Sequence, residues 1–183
     1  MFSEKLSLEM NLPLNLTGKV VKGFGRGSRE LGIPTANIEF EKVKDLILEN
    51  GVYYGLCQIN VDKRCANYLI AEKKSFFKQQ KDILVSKVFM MCCNLGYNPF
   101  YNNKEKSLEV HVIEDIGMDL YDCSMNVLIC DKIRDEQNFD SLDALINAIH
   151  NDIQITKEKL CSPEWSKVWK NENFLVLDSV DVF

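Results

Sequence analysis

Three groups of side chains in this sequence have the types and spacing to do chemistry on a phosphate. The first is Gly23-Phe24-Gly25-Arg26-Gly27-Ser28, where glycines allow close backbone approach and can aim N–H groups at an anion. Around it, from Thr17 to Glu30, Lys19, Lys22, Arg26 and Arg29 stand against the single acid Glu30, a net +3 inside a chain of net charge −5. The second group is Thr35 and Asn37 in Gly32-Ile33-Pro34-Thr35-Ala36-Asn37. Two residues apart, they fall on one side of an extended segment whose approach Pro34 fixes. Their neutral oxygens suit a Mg²⁺ ion that completes its shell with water and nucleotide phosphates. The third is Glu109. In Ser107–Ile113, Leu108, Val110 and Val112 alternate with Glu109, His111 and Ile113, so Glu109 and His111 share a face of a half-buried strand. A carboxylate partly withdrawn from water gains the basicity to take a proton from an alcohol. His111 reads as its structural neighbour rather than as a second catalyst.

Taken singly, each group has an ordinary explanation. Turn glycines relieve strain, Thr and Asn make turn hydrogen bonds, and a lone strand glutamate is usually exposed. The common phosphate-binding fingerprints also fail. Ser28 stands where GxGxxG and the protein-kinase loop need glycine, and Gly32 is followed by Ile33 and Pro34 rather than by the Lys and Ser/Thr of a Walker A loop. If this loop holds phosphate, it does so within another fold.

The elements that must position these groups are mostly strands. Thr17–Lys22 runs straight into the glycine loop. Gly51–Asn60, Lys87–Cys93, Ser107–Ile113 and Met125–Ile133 are rich in β-branched, aromatic or alternating apolar residues. Val61–Ser86 is polar and Lys-rich and reads as a mobile surface excursion. Late in the chain the period changes: Leu142, Leu145, Ile146, Ile149 and Ile153 recur at helical spacing, with Asp140 or Ser141 placed to cap the first turn. The tail after Pro163, with Trp165 and Trp169, has no legible structure. Short strands followed by one amphipathic helix point to an antiparallel barrel with a helix packed on it, not to a doubly wound sheet.

At 183 residues, with 46% hydrophobic and 27% charged, the chain fits one globular domain. No apolar run spans a bilayer, and Glu4, Lys5 and Glu9 interrupt the start where a secretory leader would be apolar, so a cytoplasmic protein without membrane attachment is expected. The acidic balance gives no reason to expect nucleic acid as a partner. Seven cysteines without a CxxC pair argue for buried free thiols rather than disulfides or zinc.

The run Gly18–Asn37 resembles, nearly end to end, the glycine loop and PTAN motif of the riboflavin kinases. Further segments agree in the same order: Gly51-Val52-Tyr53-Tyr54-Gly55, Leu95-Gly96-Tyr97-Asn98-Pro99-Phe100-Tyr101, Ser107–Val112 and Asn138-Phe139-Asp140-Ser141-Leu142. The resemblance covers roughly residues 18–160 and implies an all-β fold, a six-stranded antiparallel Greek-key barrel, followed by the long amphipathic helix. The expected core is about 17–160 of a single domain, with the polar insertion at about 61–86 and a tail at 161–183.

The implied activity is transfer of the ATP γ-phosphate to the ribityl 5′-hydroxyl of riboflavin, giving FMN and ADP, with Mg²⁺ as the metal and Zn²⁺ or Mn²⁺ as alternatives. By that similarity Glu109 is catalytic. Gly23, Arg29, Thr35, Asn37, Val112 and Tyr121 contact the nucleotide, Thr35 and Asn37 hold the metal, and Arg134, Gln137 and Phe139 lie on the flavin side. From their place in a long loop, Tyr97 and Phe100 read either as part of a flap over the substrate or as anchors of that loop to the core. Three positions depart from the pattern: Asp135 where proline commonly follows the arginine, Glu114 where a neutral or His side chain is expected, and Gln137 where other members can carry Lys. A monomer is expected, with the two substrates as its partners. Two rival readings remain: a flavin- or nucleotide-binding module without catalysis, and a bifunctional enzyme that also makes FAD. The bacterial bifunctional kind carries a Gly-His motif, whereas the histidines here are His111 and His150, neither preceded by glycine.

Overall fold

The computed structural model describes residues 12–23, 32–62, 77–80, 83–97, 105–163 and 165. In chain order the elements are β1 (Leu14–Val21), β2 (Ala36–Ile38), α1 (Phe40–Val43), β3 (Gly51–Asp62), β4 (Phe77–Gln80), β5 (Ile83–Ser86), β6 (Phe89–Tyr97), β7 (Lys106–Val112), β8 (Ser124–Arg134) and α2 (Leu142–Leu160). Six strands pair in the order β3-β6-β7-β2-β1-β8, and β8 returns to β3, closing an antiparallel barrel. Closure removes the exposed edges that an open sheet would carry. The order of pairing departs from the order in the chain, as in a Greek key.

Alternation decides what each strand shows to each side. Tyr53, Cys57 and Ile59 of β3, Phe89, Met91 and Leu95 of β6, Leu108 and Val110 of β7, and Met125, Val127 and Ile129 of β8 fill the barrel. The opposite faces of β3 and β8 are not solvated either. Tyr54, Leu56, Leu128 and Cys130 pack beneath Leu160 of α2 in a second apolar cluster, joined by Trp165. The helix thus turns part of the barrel's outside into another core, which is why β3 is buried almost without alternation. At Gly55 the β3–β8 register shifts, and a Cβ there would lie 2.0 Å from the Leu128 carbonyl oxygen. Only glycine fits so close an approach.

The helix begins as its sequence predicts, with Ser141 rather than Asp140 accepting a hydrogen bond from the Ala144 N–H at 3.1 Å. Its inward face lies further along than the apolar spacing implies. Leu142 is exposed, whereas Asp152, Thr156 and Leu160 are buried.

Two expectations are corrected. The 61–86 stretch is not wholly a surface excursion: β3 continues through Val61 to Asp62, and β5 returns along its end with Asn60 opposite Val85. Val61 and Leu84 belong to the barrel core. The apolar run Ile83-Leu84-Val85 was hidden by the Lys- and Gln-rich composition around it; residues 63–76 lie outside the described residues. Of the thiols, Cys57, Cys92, Cys93, Cys123 and Cys130 are buried, but Cys161, just past the end of α2, is exposed. Cys65 is outside the described residues.

Candidate active site

Strand register assembles the site. Across the sheet Asn37 of β2 stands opposite Glu109 of β7, Glu109 opposite Asn94 of β6, Asn94 opposite Val52 of β3, and Val52 opposite Arg134 of β8. Partners in register project to the same side, so residues distant in sequence form one row on the barrel's outer face. Strands are spaced about 4.8 Å apart, which puts Glu109 about 5 Å from the Asn37 strand and about 14 Å, along the curved sheet, from the Arg134 strand. The next row pairs Cys92 with His111.

Over these rows lies a cavity of about 320 Å³. Its floor is Thr35, Cys92, Asn94, Glu109 and His111, one wall is Leu145, Ile149 and Asp152 of α2, and another is Glu136, Gln137 and Phe139 of the segment after β8. That size is ordinary for a small-molecule site, and so is a lining mostly apolar with a few convergent polar groups.

Within it, the Thr35 hydroxyl donates to Glu109 Oε2 at 3.4 Å, a long contact. His111 Nδ1 lies 2.9 Å from the Pro34 carbonyl oxygen. A carbonyl only accepts, so this nitrogen carries the proton and ties the Pro34-Thr35 segment to β7. Burial pushes the His111 pKa below its usual range, against the raising effect of that bond, and favours the neutral ring. Asn94 Nδ2 donates to Glu136 Oε1 at 3.3 Å. Arg134 is gripped by Asp152 through Nε at 2.9 Å and Nη2 at 2.7 Å, and its guanidinium lies 5.6 Å from the Phe139 ring centre.

The sequence-expected residues separate accordingly. Thr35, Glu109, Arg134, Gln137 and Phe139 all line this cavity. Asn37 flanks it in register with Glu109, and Gly23 backs onto Asn37 so closely that a Cβ would sit 2.2 Å from the amide nitrogen. Val112 points into the barrel core, and Tyr121 is exposed on a turn; neither lines the cavity. That turn meets the end of β1, where Asp122 N–H donates to the Val20 carbonyl at 3.0 Å. Arg29, the remainder of the glycine loop and Phe100 lie outside the described residues. Sequence reasoning overlooked Asn94, Glu136 and Asp152. Asn94 had a signal, as the one amide in the apolar β6, and so had Asp152, as an acid on the helix face shared with Leu145 and Ile149.

Among the described residues no three His, Cys, Asp or Glu side chains cluster as a metal site. Among the described residues, what this end of the site offers a hard cation is the oxygens of Thr35 and Asn37 beside the Glu109 carboxylate, a donor set that fits Mg²⁺ only if a ligand supplies further oxygens. No helix among the described residues is long and apolar enough to cross a membrane.

A barrel with this arrangement is already known among solved structures. The crystal structure of riboflavin kinase from Trypanosoma brucei superposes with a TM-score of 0.66 over 93% of each chain at 22% identity, which establishes a shared fold. Sequence goes further. The Flavokinase family profile, described as riboflavin kinase, matches residues 10–160. The riboflavin kinase of Pyricularia oryzae is 37% identical over 95% of this chain and 82% of its own, and that of Yarrowia lipolytica is 38% identical over 81% of each. The chain belongs to the riboflavin kinase family, the transferases that convert riboflavin to FMN.

Proposed function

We propose that this protein transfers the γ-phosphate of ATP to the ribityl 5′-hydroxyl of riboflavin with Glu109 as the general base. The observation behind it is the register row, in which Glu109 lies between Asn37 and Arg134, together with the cavity that Thr35, Glu109, Arg134 and Phe139 line. Gly23, Arg29, Thr35 and Asn37, with Val112 and Tyr121 beyond the cavity, serve the nucleotide; Arg134, Gln137 and Phe139 serve the flavin. Cytoplasmic location and a monomeric state belong to the same reading.

Glu109 accepts the proton of the 5′-hydroxyl as that oxygen bonds to the γ-phosphorus and the bond to the ADP oxygen breaks. The residue is half-buried and stands in register between Asn37 and Asn94. Thr35 and Asn37 would hold Mg²⁺, which when bound supplies charge neutralisation at the β- and γ-phosphates. His111 keeps Thr35 in place through Pro34. Arg134 stands at the flavin end, where its cation favours the charge that builds on the transferring group. Positioning of this kind supplies most of the catalysis in phosphoryl transfer.

Incubating the chain with riboflavin, Mg²⁺ and ATP should yield FMN and ADP on chromatography. Flavin binding without FMN would instead make it a binding module. The double variant Thr35→Val/Asn37→Leu should shift the Mg²⁺ concentration for half-maximal rate upward by at least about tenfold, the scale of losing one to two hydrogen-bond-sized contacts. An unchanged Mg²⁺ profile would remove both residues from the metal site.

A further inference from the structure

We infer that Asp152, a buried carboxylate on α2, is a positioning residue that fixes where the Arg134 guanidinium stands at the flavin end of the cavity. The inference rests on the reading of Arg134 given above.

Asp152 is 1% exposed on a helix face that otherwise presents Leu145, Ile149, Thr156 and Leu160. A buried carboxylate is costly unless a cation and hydrogen bonds offset its lost hydration. Both its oxygens are engaged by one group: Arg134 Nε donates to Oδ1 at 2.9 Å and Nη2 to Oδ2 at 2.7 Å. This two-point grip sets direction as well as distance, since it fixes the guanidinium in the carboxylate plane. The Phe139 ring, 5.6 Å from the guanidinium carbon, covers a face of the same group, and Nη1 reaches the Asp135 carbonyl at 3.2 Å.

Asp152 is itself anchored. The buried Thr156 hydroxyl donates to the Asp152 carbonyl at 2.8 Å, one turn further along the helix. A continuous series therefore runs from the helix interior through Asp152 to Arg134 at the end of β8, and across the sheet row to Asn94 and Glu109. If the pair served stability alone, well-packed apolar residues of similar volume would do as well or better. A carboxylate on the cavity wall that grips a cavity-lining arginine at two points is a device for aiming that arginine. In this account α2 is a template for the flavin end as well as a cover for the second core.

The test compares Asp152→Asn, Arg134→Ala and their combination in the full chain, reading kcat and the KM values for riboflavin and ATP, with circular dichroism to confirm folding. Asp152→Asn keeps the shape but loses the charge and one acceptor. It should cut kcat/KM for riboflavin by at least about tenfold, within the range for misplacing a catalytic group, and leave the ATP KM within about twofold. Adding it to Arg134→Ala should cost nothing further, because Asp152 acts only through Arg134. Leu56→Ala, in the second apolar cluster, serves as the control: it lowers the thermal midpoint without moving either KM.

Wild-type turnover in Arg134→Ala would overturn the reading of Arg134 itself. An impaired Arg134→Ala beside a wild-type Asp152→Asn would leave that reading standing and reduce Asp152 to a structural ion pair, as would multiplicative losses in the double variant. Should Asp152→Asn fail to fold, Asp152→Glu keeps the charge but displaces the grip by a methylene. It should lower kcat/KM for riboflavin and leave the ATP KM within about twofold, and unchanged constants there would overturn the inference.

Discussion

Gly23 and Asn37 compete for the same space: a single methyl on Gly23 would overlap the Asn37 amide at 2.2 Å. Contacts under 3.0 Å force something to move, and here the yielding group is one of the two oxygen donors beside Glu109. Gly23→Ala should therefore raise the Mg²⁺ and ATP concentrations needed for half-maximal rate by about tenfold, a displacement effect of the order known for small misplacements, with less change in kcat at saturation. Titration of both at fixed riboflavin would show it, and unchanged requirements would separate Asn37 from the nucleotide end. At this scale the sequence revealed the groups whose chemistry is local. Thr35 and Asn37 share a face through their two-residue spacing, and Glu109 stands out as an acid within an alternating strand. It did not reveal Asn94 or Asp152 as parts of the site. Their meaning depends on partners 15 residues away across β6–β7 and 18 residues away across β8–α2, which no local pattern encodes.

Among the elements, the strands with one solvated face were the easiest to read, because alternation reports a half-buried surface. β7 is the clearest, its burial alternating along its whole length. β3 carries no such signal since the barrel covers one side and α2 the other, while β2, at three residues, is too short for any period to appear. The price of covering both sides shows at Gly55, where β3 and β8 approach within reach of a backbone oxygen. Gly55→Ala pushes a methyl against the Leu128 carbonyl, which unlike a side chain cannot rotate away. Overpacking of this kind typically costs about 1–3 kcal/mol, and the upper end is expected here. Urea denaturation followed by fluorescence would measure it; a midpoint equal to the parent chain's would mean that the β3–β8 shift accommodates a side chain.

For the whole molecule, the buried thiols are one source of pH-dependent stability on the alkaline side. Burial pushes Cys92 and Cys130 up to about 12, from an ordinary 9.0, and raises Cys57 and Cys93 as well. A thiol whose pKa is raised by folding binds its proton more tightly in the native state, so its contribution to stability is complete below about pH 9 and is lost as pH climbs from 9 toward 12. Replacing Cys92 and Cys130 by alanine would confound this with lost packing, whereas valine keeps an apolar side chain of similar size. The double valine variant should lose less stability between pH 8 and pH 10.5 than the parent chain, by thermal midpoint, and parallel losses would exclude the thiols as the cause.

The fold as a whole also explains why the catalytic assignment stands or falls on one residue. The barrel brings Asn37 and Arg134 to opposite ends of one row, and Glu109 is the carboxylate of that row between them. The most direct test is Glu109→Gln, which keeps the shape and removes the base. FMN formation at saturating Mg²⁺, ATP and riboflavin should fall by about 10²–10⁴-fold, the usual worth of a positioned general base, while calorimetric affinities for ATP and riboflavin stay within about threefold. Turnover at the parent rate, with both substrates bound normally, would contradict the account.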